Sequence, residues 1–485
     1  MNYLVKYSPE MTIKSRPVRT RFAKQLRKNL ARLLHRISED IQIKGNWDYV
    51  GVEVPATLNH LQPQVEQVLA STQGICFYER VQVFKVSTLD EILLHTLPIF
   101  QNRLIGKTFA VRCRRIGKHD FTSMDVEKFV GSGLNTNIKT AGVSLSNPEA
   151  LVKLEIRKDK LFVVEENFPG RSGFPLGTLD GVLSLISGGF DSSVSSYMSM
   201  KRGLKTHFCF FNLGGREHEI AVKEVALYLW MRFGSTHPVS FITVPFEEVV
   251  AEILEKVDNS QMGVVLKRMM LRAATQVAQR MKLEAMVTGE SVAQVSSQTL
   301  ANLAIIDKVT DILILRPLAM MEKQEIVDIA RVIGTEEFSA VIPEYCGVIS
   351  NKPTTRARMP RLKAQEDRFD FSVLDKAVAG SVKERIDKIQ LDTRKDNNEL
   401  RIVQALSAGE VVLDIRHPDE QERDPLKLEG NLIEKVPFYK LNSVFPDLPA
   451  EISYSLYCGK GIMSKLHASY LMDQGFANVG VYLPE

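Results

Sequence analysis

The sequence predicts a multidomain α/β protein whose middle is a doubly wound parallel sheet, flanked by an α+β front and a smaller α/β unit behind. Three observations predict this. The 485 residues are too many for one core, and 44% hydrophobic with 25% charged residues is a globular composition. From Val182 onward, stretches of strand character alternate with helical ones, the pattern of parallel strands joined by crossovers. The charge is also divided. Residues 1–180 carry 26 Lys+Arg against 18 Asp+Glu, a surplus of +8, so the rest sum to −4 within the net +4. A basic front on a mildly acidic body suggests a polyanionic partner held by the N-terminal third.

Several classes are excluded. No apolar run approaches a membrane span, and Met1–Met11 lacks the apolar stretch of a signal peptide. Five cysteines, an odd number at distant positions, do not form a secreted disulfide framework. The expectation is a cytoplasmic protein with no membrane partner, in which any disulfide is transient and catalytic.

In chain order, Tyr3–Tyr7 reads as a strand. Phe22, Leu26, Leu30, Leu33, Leu34 and Ile37 recur at helical spacing. The same stretch carries Arg19, Arg21, Lys24, Arg27, Lys28, Arg32 and Arg36 with no acid before Glu39, a face suited to phosphates. Tyr49–Val54 closes a first unit, residues 1–60. A second α+β unit follows at 61–165. It has a helix at Leu61–Leu69, strand character at Ile75–Val86, a helix at Leu89–Phe100 and a strand at Thr108–Arg112. Next come Cys113-Arg114-Arg115-Ile116-Gly117-Lys118-His119, a helix capped by Ser123, and a hairpin of Leu151–Arg157 with Lys160–Val164. The run K-T-F-A-V-R-C-R-R-I-G-K-H-D-F with its capped helix resembles the THUMP domain of RNA-modifying enzymes. The resemblance implies binding of the tRNA acceptor end by shape and phosphate, through Arg112, Arg114, Arg115 and Lys118. Gly133–Thr140 ends in Lys-Thr but has no Gly before the Lys, so it is rejected as a nucleotide loop.

Gly170–Gly177 reads as a linker to the body at 175–385. Strands are expected at Val182–Ile186, Thr206–Phe211, Val239–Val244, Ala285–Thr288 and Ile312–Leu315. Helices are expected near Asp191–Arg202, Glu217–Phe233, Phe246–Val257, Gly263–Met281, Ser297–Ile305 and Glu322–Ile333. In such a sheet, ligands bind beyond the carboxyl ends of the strands. There lies Ser187-Gly188-Gly189-Phe190-Asp191-Ser192-Ser193, a tight Gly-rich turn entering a helix. Glycines that admit backbone N–H groups, serine hydroxyls and a helix N-terminus together make an anion cradle. It is not a Walker A loop, since it has no Lys and carries an Asp. S-G-G-x-D-S after a buried strand resembles instead the loop of the PP-loop ATP pyrophosphatases, which adenylate a substrate and release pyrophosphate. That resemblance implies ATP with Mg²⁺ at this site. Leu185 and Ile186 would lie against adenine and Ser187, Gly188, Gly189, Asp191 and Ser192 around the phosphates. Lys267, Gly289 and Gln298 would be further contacts, and Lys323 would neutralise pyrophosphate. Asp191 could hold Mg²⁺ or orient the substrate. Gly289 would let its N–H come close to the nucleotide.

Residues 361–400 form a charged, helix-prone run that reads as a connector. The last unit, 404–485, has strands at Glu410–Ile415 and Ser453–Tyr457. The second leads into Cys458-Gly459-Lys460-Gly461-Ile462-Met463-Ser464 and a helix, Met463–Gln474. A loop Cys at a helix N-terminus beside a Lys has its thiolate favoured. This loop, with Asp414-x-Arg416-x-x-x-Glu420 before it, resembles the rhodanese domain, whose loop cysteine carries sulfur as a persulfide. Cys209 sits mid-strand between phenylalanines and reads as core, whereas Cys346 lies in a Pro- and Gly-flanked loop.

The whole order resembles the tRNA 4-thiouridine synthetase family (tRNA sulfurtransferases) of enterobacterial type: a ferredoxin-like piece, THUMP, PP-loop and fused rhodanese domain. The resemblance implies that a tRNA uridine at position eight is adenylated and then thiolated. A cysteine desulfurase would load the persulfide on Cys458, and Cys346 would resolve it as a Cys346–Cys458 disulfide that a cellular reductant reopens. It also implies sulfur transfer to the thiamine sulfur-carrier protein. Two other classes compete: a non-enzymatic tRNA-binding sulfur relay, against which the intact S-G-G-F-D-S loop argues, and a PP-loop enzyme adenylating another substrate, against which Cys458 argues.

Overall fold

Period-two alternation in the N-terminal third produces one sheet. The computed structural model describes residues 1–45, 48–213, 215–342, 352–389, 400–407, 409–416, 418–437, 440–441, 444–459 and 461–484. It forms two units, Met1–Thr178 and Leu179–Glu485. In the first, strands β1 (Asn2–Tyr7), β2 (Gln42–Gly45), β3 (Tyr49–Glu53), β4 (Ile75–Lys85), β5 (Thr108–Ile116), β6 (Gly142–Val143), β7 (Ala150–Arg157) and β8 (Lys160–Pro169) are ordered β2-β3-β1-β4-β8-β7-β5-β6. β1 pairs antiparallel with β4 as well as with β3, so the sheet runs on across residues 60 and 61.

A short turn, α1 (Pro9–Thr12), precedes α2 (Arg16–Leu34), α3 (Gln62–Ser71), α4 (Leu89–Phe100) and α5 (Ser123–Asn137). On α2, Phe22, Leu26, Leu30 and Leu34 are spaced four apart and buried, packing with Tyr3, Val5, Val50 and Val52. A second core sets α4 and α5, with Ile92, Val126, Val130 and Leu134, against Phe109, Val111, Val152 and Ile156.

Three local expectations are corrected here. The strand read as Thr108–Arg112 runs on to Ile116, because β5 pairs with β7 as far as Ile116–Arg157. The cap of α5 is Thr122, not Ser123: its hydroxyl accepts from the Asp125 N–H, and the Asp125 carboxylate accepts from the Thr122 N–H. The stretch read as a linker is packed. Phe174 is 5% exposed with its ring edge-on to Phe22, and the Leu176 carbonyl accepts from Asn29 Nδ2 at 3.0 Å.

The second unit opens with β9 (Gly181–Leu185), α6 (Phe190–Lys201), β10 (Lys205–Asn212), α7 (Gly215–Leu229), β11 (Ser240–Pro245), α8 (Glu247–Lys256) and α9 (Met262–Arg280). It continues through β12 (Ala285–Val287), α10 (Leu300–Ile306), β13 (Leu313–Leu315), α11 (Lys323–Ile333), α12 (Glu336–Val341), α13 (Met359–Glu366), α14 (Phe371–Ala379) and β14 (Val382–Arg385). The sheet order is β13-β12-β9-β10-β11-β14, with β9 to β13 parallel. Leu183, Cys209, Ile242 and Val244 face a core shared with α8, α9 and α14. Alternate residues turn to the other face, where Ser184 Oγ lies 2.8 Å from Ser196 Oγ of α6 and Thr243 Oγ1 donates to Glu219 Oε1 of α7 at 3.0 Å. Helices thus cover both faces, as doubly wound patterning requires.

The sheet is not wholly parallel. β14 pairs antiparallel with β11, so the run read as a helical connector supplies two helices and an edge strand of this sheet. Lys223 Nζ ties the edge down, 2.8 Å from both Glu219 of α7 and Glu384 of β14. The helix expected over Ser297–Ile305 is a 3₁₀ turn at Ser296–Gln298 followed by α10, which Thr299 caps. The rest of the unit is a parallel sheet ordered β15-β19-β18-β16-β17, with β15 (Ile402–Val403), β16 (Val411–Asp414), β17 (Ile433–Lys435), β18 (Tyr454–Tyr457) and β19 (Val479–Tyr482). Helices α15 (Pro418–Arg423) and α16 (Ile462–Asp473) follow β16 and β18. Among the described residues, no helix is long and apolar enough to cross a membrane.

Candidate functional site

The carboxyl ends of β9, β10 and β12 open onto a cavity of about 450 Å³. At its floor the chain leaves β9, turns at Gly188 with φ +83°, and enters α6 with Gly189 as N-cap. A side chain at Gly188 would also put a Cβ 2.6 Å from Ile342 Cδ1. A Cβ at Gly189 would meet only Ser187 Oγ, at 3.8 Å, so that glycine leaves the cradle open. Ser192 closes the loop on itself: its Oγ accepts from the Ser187 N–H at 3.1 Å and donates to the Gly189 carbonyl at 3.1 Å. The leading N–H groups of α6 have no intrahelical acceptor, and the helix end adds positive potential.

The cavity is lined by Leu185, Ile186, Ser187, Gly189, Asp191, Ser192, Lys267, Gly289 and Gln298, nine of the residues singled out in the sequence, drawn from distant segments. Its wall is apolar at Phe210, Phe211, Met270 and Leu271. Against it stands Gln298, 8% exposed, whose Oε1 has no hydrogen-bond partner among the described residues. An apolar slot with an unsatisfied amide oxygen suits a purine with an exocyclic amine. The open anion cradle nearby suits its phosphates, so these residues fit an adenine nucleotide.

Asp191 is engaged on both oxygens. Lys323 Nζ lies 2.7 Å from Oδ1, and Gln294 Nε2 donates to Oδ2 at 2.8 Å. Gly289 presses on the same point: a Cβ there would lie 2.6 Å from the Asp191 carbonyl carbon and 2.8 Å from the Ser192 nitrogen. The close approach this glycine permits is therefore to the start of α6, as in helix–strand packing.

Four lining or adjoining residues carry no motif of their own. Glu290 Oε1 receives Lys267 Nζ at 3.0 Å and Oε2 receives Arg316 Nε at 2.7 Å. Burial would raise this carboxyl, but the two cations outweigh it and hold it at about 2. His218 on α7 lines the cavity with its ring edge-on to Phe210, and burial lowers its pKa against a backbone hydrogen bond with Ser187. With Gln294 and Arg316, these groups become neighbours only through the sheet. Glu290 and Gln294 follow a strand end, which was the one signal available.

In the five-stranded sheet, Cys458 directly follows β18 and is 6% exposed. Its Sγ accepts from the Ser464 N–H in the first turn of α16 at 3.4 Å. The Ser464 hydroxyl is buried with no partner among the described residues. Beside it, Arg416 pairs doubly with Asp414, at 2.9 and 2.6 Å, and lies 5.0 Å over the Tyr457 ring. Cys346 and Lys460 lie outside the described residues. Cys209 is wholly buried, its thiol pushed up to about 12 by burial.

On the first unit, Arg112 and Arg114 alternate outward along β5, and Lys118 is exposed after it. Arg115 turns the other way, its Nη1 3.0 Å from His119 Nδ1.

Comparison with known proteins places these features. The model of the thiamine biosynthesis protein (ThiI) family matches residues 177–371, and the THUMP domain model matches 86–164. A tRNA sulfurtransferase of Saccharophagus degradans is 49% identical over 484 residues, covering 100% of both chains. Another, of Shewanella pealeana, is 50% identical over 486 residues with the same coverage. A solved 4-thiouridine synthetase–RNA complex with bound ATP is similar at a TM-score of 0.69 and 25% identity, covering 79% of this chain and 99% of that one. PH1313 of Pyrococcus horikoshii shares the fold, at a TM-score of 0.53 and 17% identity over 69% of this chain and 100% of its own.

Proposed function

This chain belongs to the tRNA sulfurtransferase family, and on that premise we propose that it replaces the C4 oxygen of the uridine at tRNA position eight with sulfur, consuming ATP and giving 4-thiouridine. The observation that carries the reading is the convergence of the Ser187–Ser192 loop, Lys267, Gly289 and Gln298 on one cavity with an apolar slot and an anion cradle. The chain is read as a ferredoxin-like piece at 1–60, a THUMP domain at 61–165, a PP-loop domain at 175–385 and a rhodanese domain at 404–485. The solved 4-thiouridine synthetase–RNA complex with bound ATP supports both partners.

A carbonyl oxygen is a poor leaving group, and ATP supplies the adenylyl group that lets it depart as AMP. Gln298 and the wall at Leu185 and Ile186 would hold the base, and the α6 N-terminus and Lys267 the phosphates. Lys323, poised on Asp191, would take up charge that develops on pyrophosphate. Asp191 is then held to orient substrate between Lys323 and Gln294, and Mg²⁺ would arrive with the triphosphate. Arg112, Arg114 and Lys118 would meet the RNA backbone, with Arg115 behind them.

Sulfur would come from Cys458. A cysteine desulfurase loads it as Cys458–S–S⁻, and the terminal sulfur attacks uridine C4, displacing AMP. Cys346 thiolate then attacks Cys458 Sγ, breaking the S–S bond so that the thiocarbonyl is released and a Cys346–Cys458 disulfide forms. Two electrons from a cellular reductant reopen it. The ThiI family match supports a second acceptor, the thiamine sulfur-carrier protein. A cytoplasmic location fits a tRNA substrate.

The test follows tRNA-dependent pyrophosphate release and 4-thiouridine formation with a loaded desulfurase. Asp191→Ala is expected to lose both, and Cys458→Ala to keep pyrophosphate release and lose sulfur transfer. Full sulfur transfer by both variants would overturn the mechanism. Pyrophosphate release without sulfur acceptance by the unaltered chain would favour adenylation of another substrate.

A further inference from the structure

Four side chains of alternating charge form a row that leads away from the nucleotide cavity. Lys267 Nζ lies 3.0 Å from Glu290 Oε1. Glu290 Oε2 accepts from Arg316 Nε at 2.7 Å and from the Thr288 hydroxyl at 3.0 Å. Arg316 then grips Asp307 with both ends of its fork, Nη1 at 2.9 Å and Nη2 at 2.5 Å. The row leads outward: the side chains of Glu290 and Arg316 are 8% and 14% exposed, that of Asp307 41%. Lys267 and Glu290 line the cavity, whereas Arg316 and Asp307 do not.

A carboxylate in a cavity for a polyanion opposes binding unless it does something else. Here Glu290 stays ionised between two cations, so it is a fixed acceptor and not a free charge. The Lys267 ammonium sits on a flexible four-carbon stem and has three donors. Fixing one on Glu290 sets where the others are aimed. We propose that Glu290 is a positioning residue that aims Lys267 at the phosphates, and that Arg316 and Asp307 hold Glu290 in turn. This rests on reading the cavity as an ATP site.

Affinity and aim make opposite demands on Glu290. Removing its charge leaves the cavity more positive, so ATP binds no worse. The amide of Glu290→Gln, however, offers one acceptor oxygen to two cations and turns a donor towards the other, so Lys267 is misplaced at the moment of reaction. A misplacement of about 1 Å costs up to about a hundredfold in rate. Steady-state pyrophosphate release with tRNA is therefore measured in Glu290→Gln, Asp307→Asn, Lys267→Met and the two doubles that carry Lys267→Met. Expected are a fall in kcat of about tenfold or more for Glu290→Gln with KM for ATP unchanged or lower, and about threefold for Asp307→Asn. Neither change should cost anything further in the Lys267→Met background. Losses that multiply in that background, or a raised KM with kcat intact, overturn the positioning role while leaving the ATP site standing. Full turnover by Lys267→Met itself overturns the placement of phosphates at Lys267, and this proposal with it. Asp307→Asn, a change at the exposed end, keeps the test decisive where Glu290→Gln does not fold.

Discussion

Gly289 shows at the residue scale how narrowly the two halves of the cavity are joined. A methyl group there would lie 2.6 Å from the Asp191 carbonyl carbon, below any tolerable contact, and the neighbour is backbone that cannot swing away. Gly289→Ala must part β12 from α6 or shift Asp191, whose carboxylate pairs with Lys323. We expect a stability loss of about 1–3 kcal/mol by urea unfolding, with pyrophosphate release lost at temperatures where the protein remains folded. Gly189→Ala meets only Ser187 Oγ at 3.8 Å and is expected to lose less than about 1 kcal/mol. Equal stability losses at the two positions would contradict this account. The sequence marked Gly289 as a place where something comes close, but not what. The strand-end position is local information, while the identity of the neighbour depends on how β12 and α6 meet across the sheet.

Elements whose pattern is local were legible, and those completed by distant partners were not. Strand, Gly-rich turn and helix at 182–202 could be read directly because each carries its own signal. β14 could not. Val382-Lys383-Glu384-Arg385 has one apolar residue, itself 56% exposed, and becomes a strand only because β11 offers an open edge. Nor could the packing of Phe174, since Gly and Pro on either side read as a linker while the partner, Phe22, lies about 150 residues earlier. The cap of α5 was missed by one residue, because Thr122 and Ser123 are both good caps and only the hydrogen bonds choose. That choice is testable. Thr122→Ala removes the acceptor for the Asp125 N–H and is expected to cost about 1 kcal/mol. Ser123→Ala, at the first helical position, is expected to cost almost nothing by the same urea titration.

At the scale of the whole molecule, the division of charge and the packing of the second unit each have a measurable consequence. For the charge, tRNA binding should weaken steeply with salt, and Arg112→Ala or Arg114→Ala should each lower the slope of log K against log salt by about 0.7–0.9. Arg115→Ala should lower it less, since Arg115 is only partly exposed where Arg112 and Arg114 are exposed. In the second unit, Glu224 of α7 and His467 of α16 are both buried, with Oε1 and Nε2 3.5 Å apart. Burial raises the Glu224 carboxyl from 4.5 to about 8 and lowers the His467 imidazole from 6.5 to about 3, so both are neutral near pH 6. The folded chain keeps a proton on Glu224 that the unfolded chain releases above 4.5, so this stability is complete below that pH and lost as pH rises through 8. His467 has the opposite sign: its contribution is complete above 6.5 and lost as pH falls through 3. The two slopes cancel between 4.5 and 6.5, leaving a plateau with a fall on either side. Glu224→Gln removes the alkaline fall and lets the His467 slope run uncancelled up to 6.5. Thermal melts of the full chain at pH 6.5 and 8 should show a smaller difference for that variant than for the unaltered protein, whereas an equal difference would mean that Glu224 is ionised in the folded state.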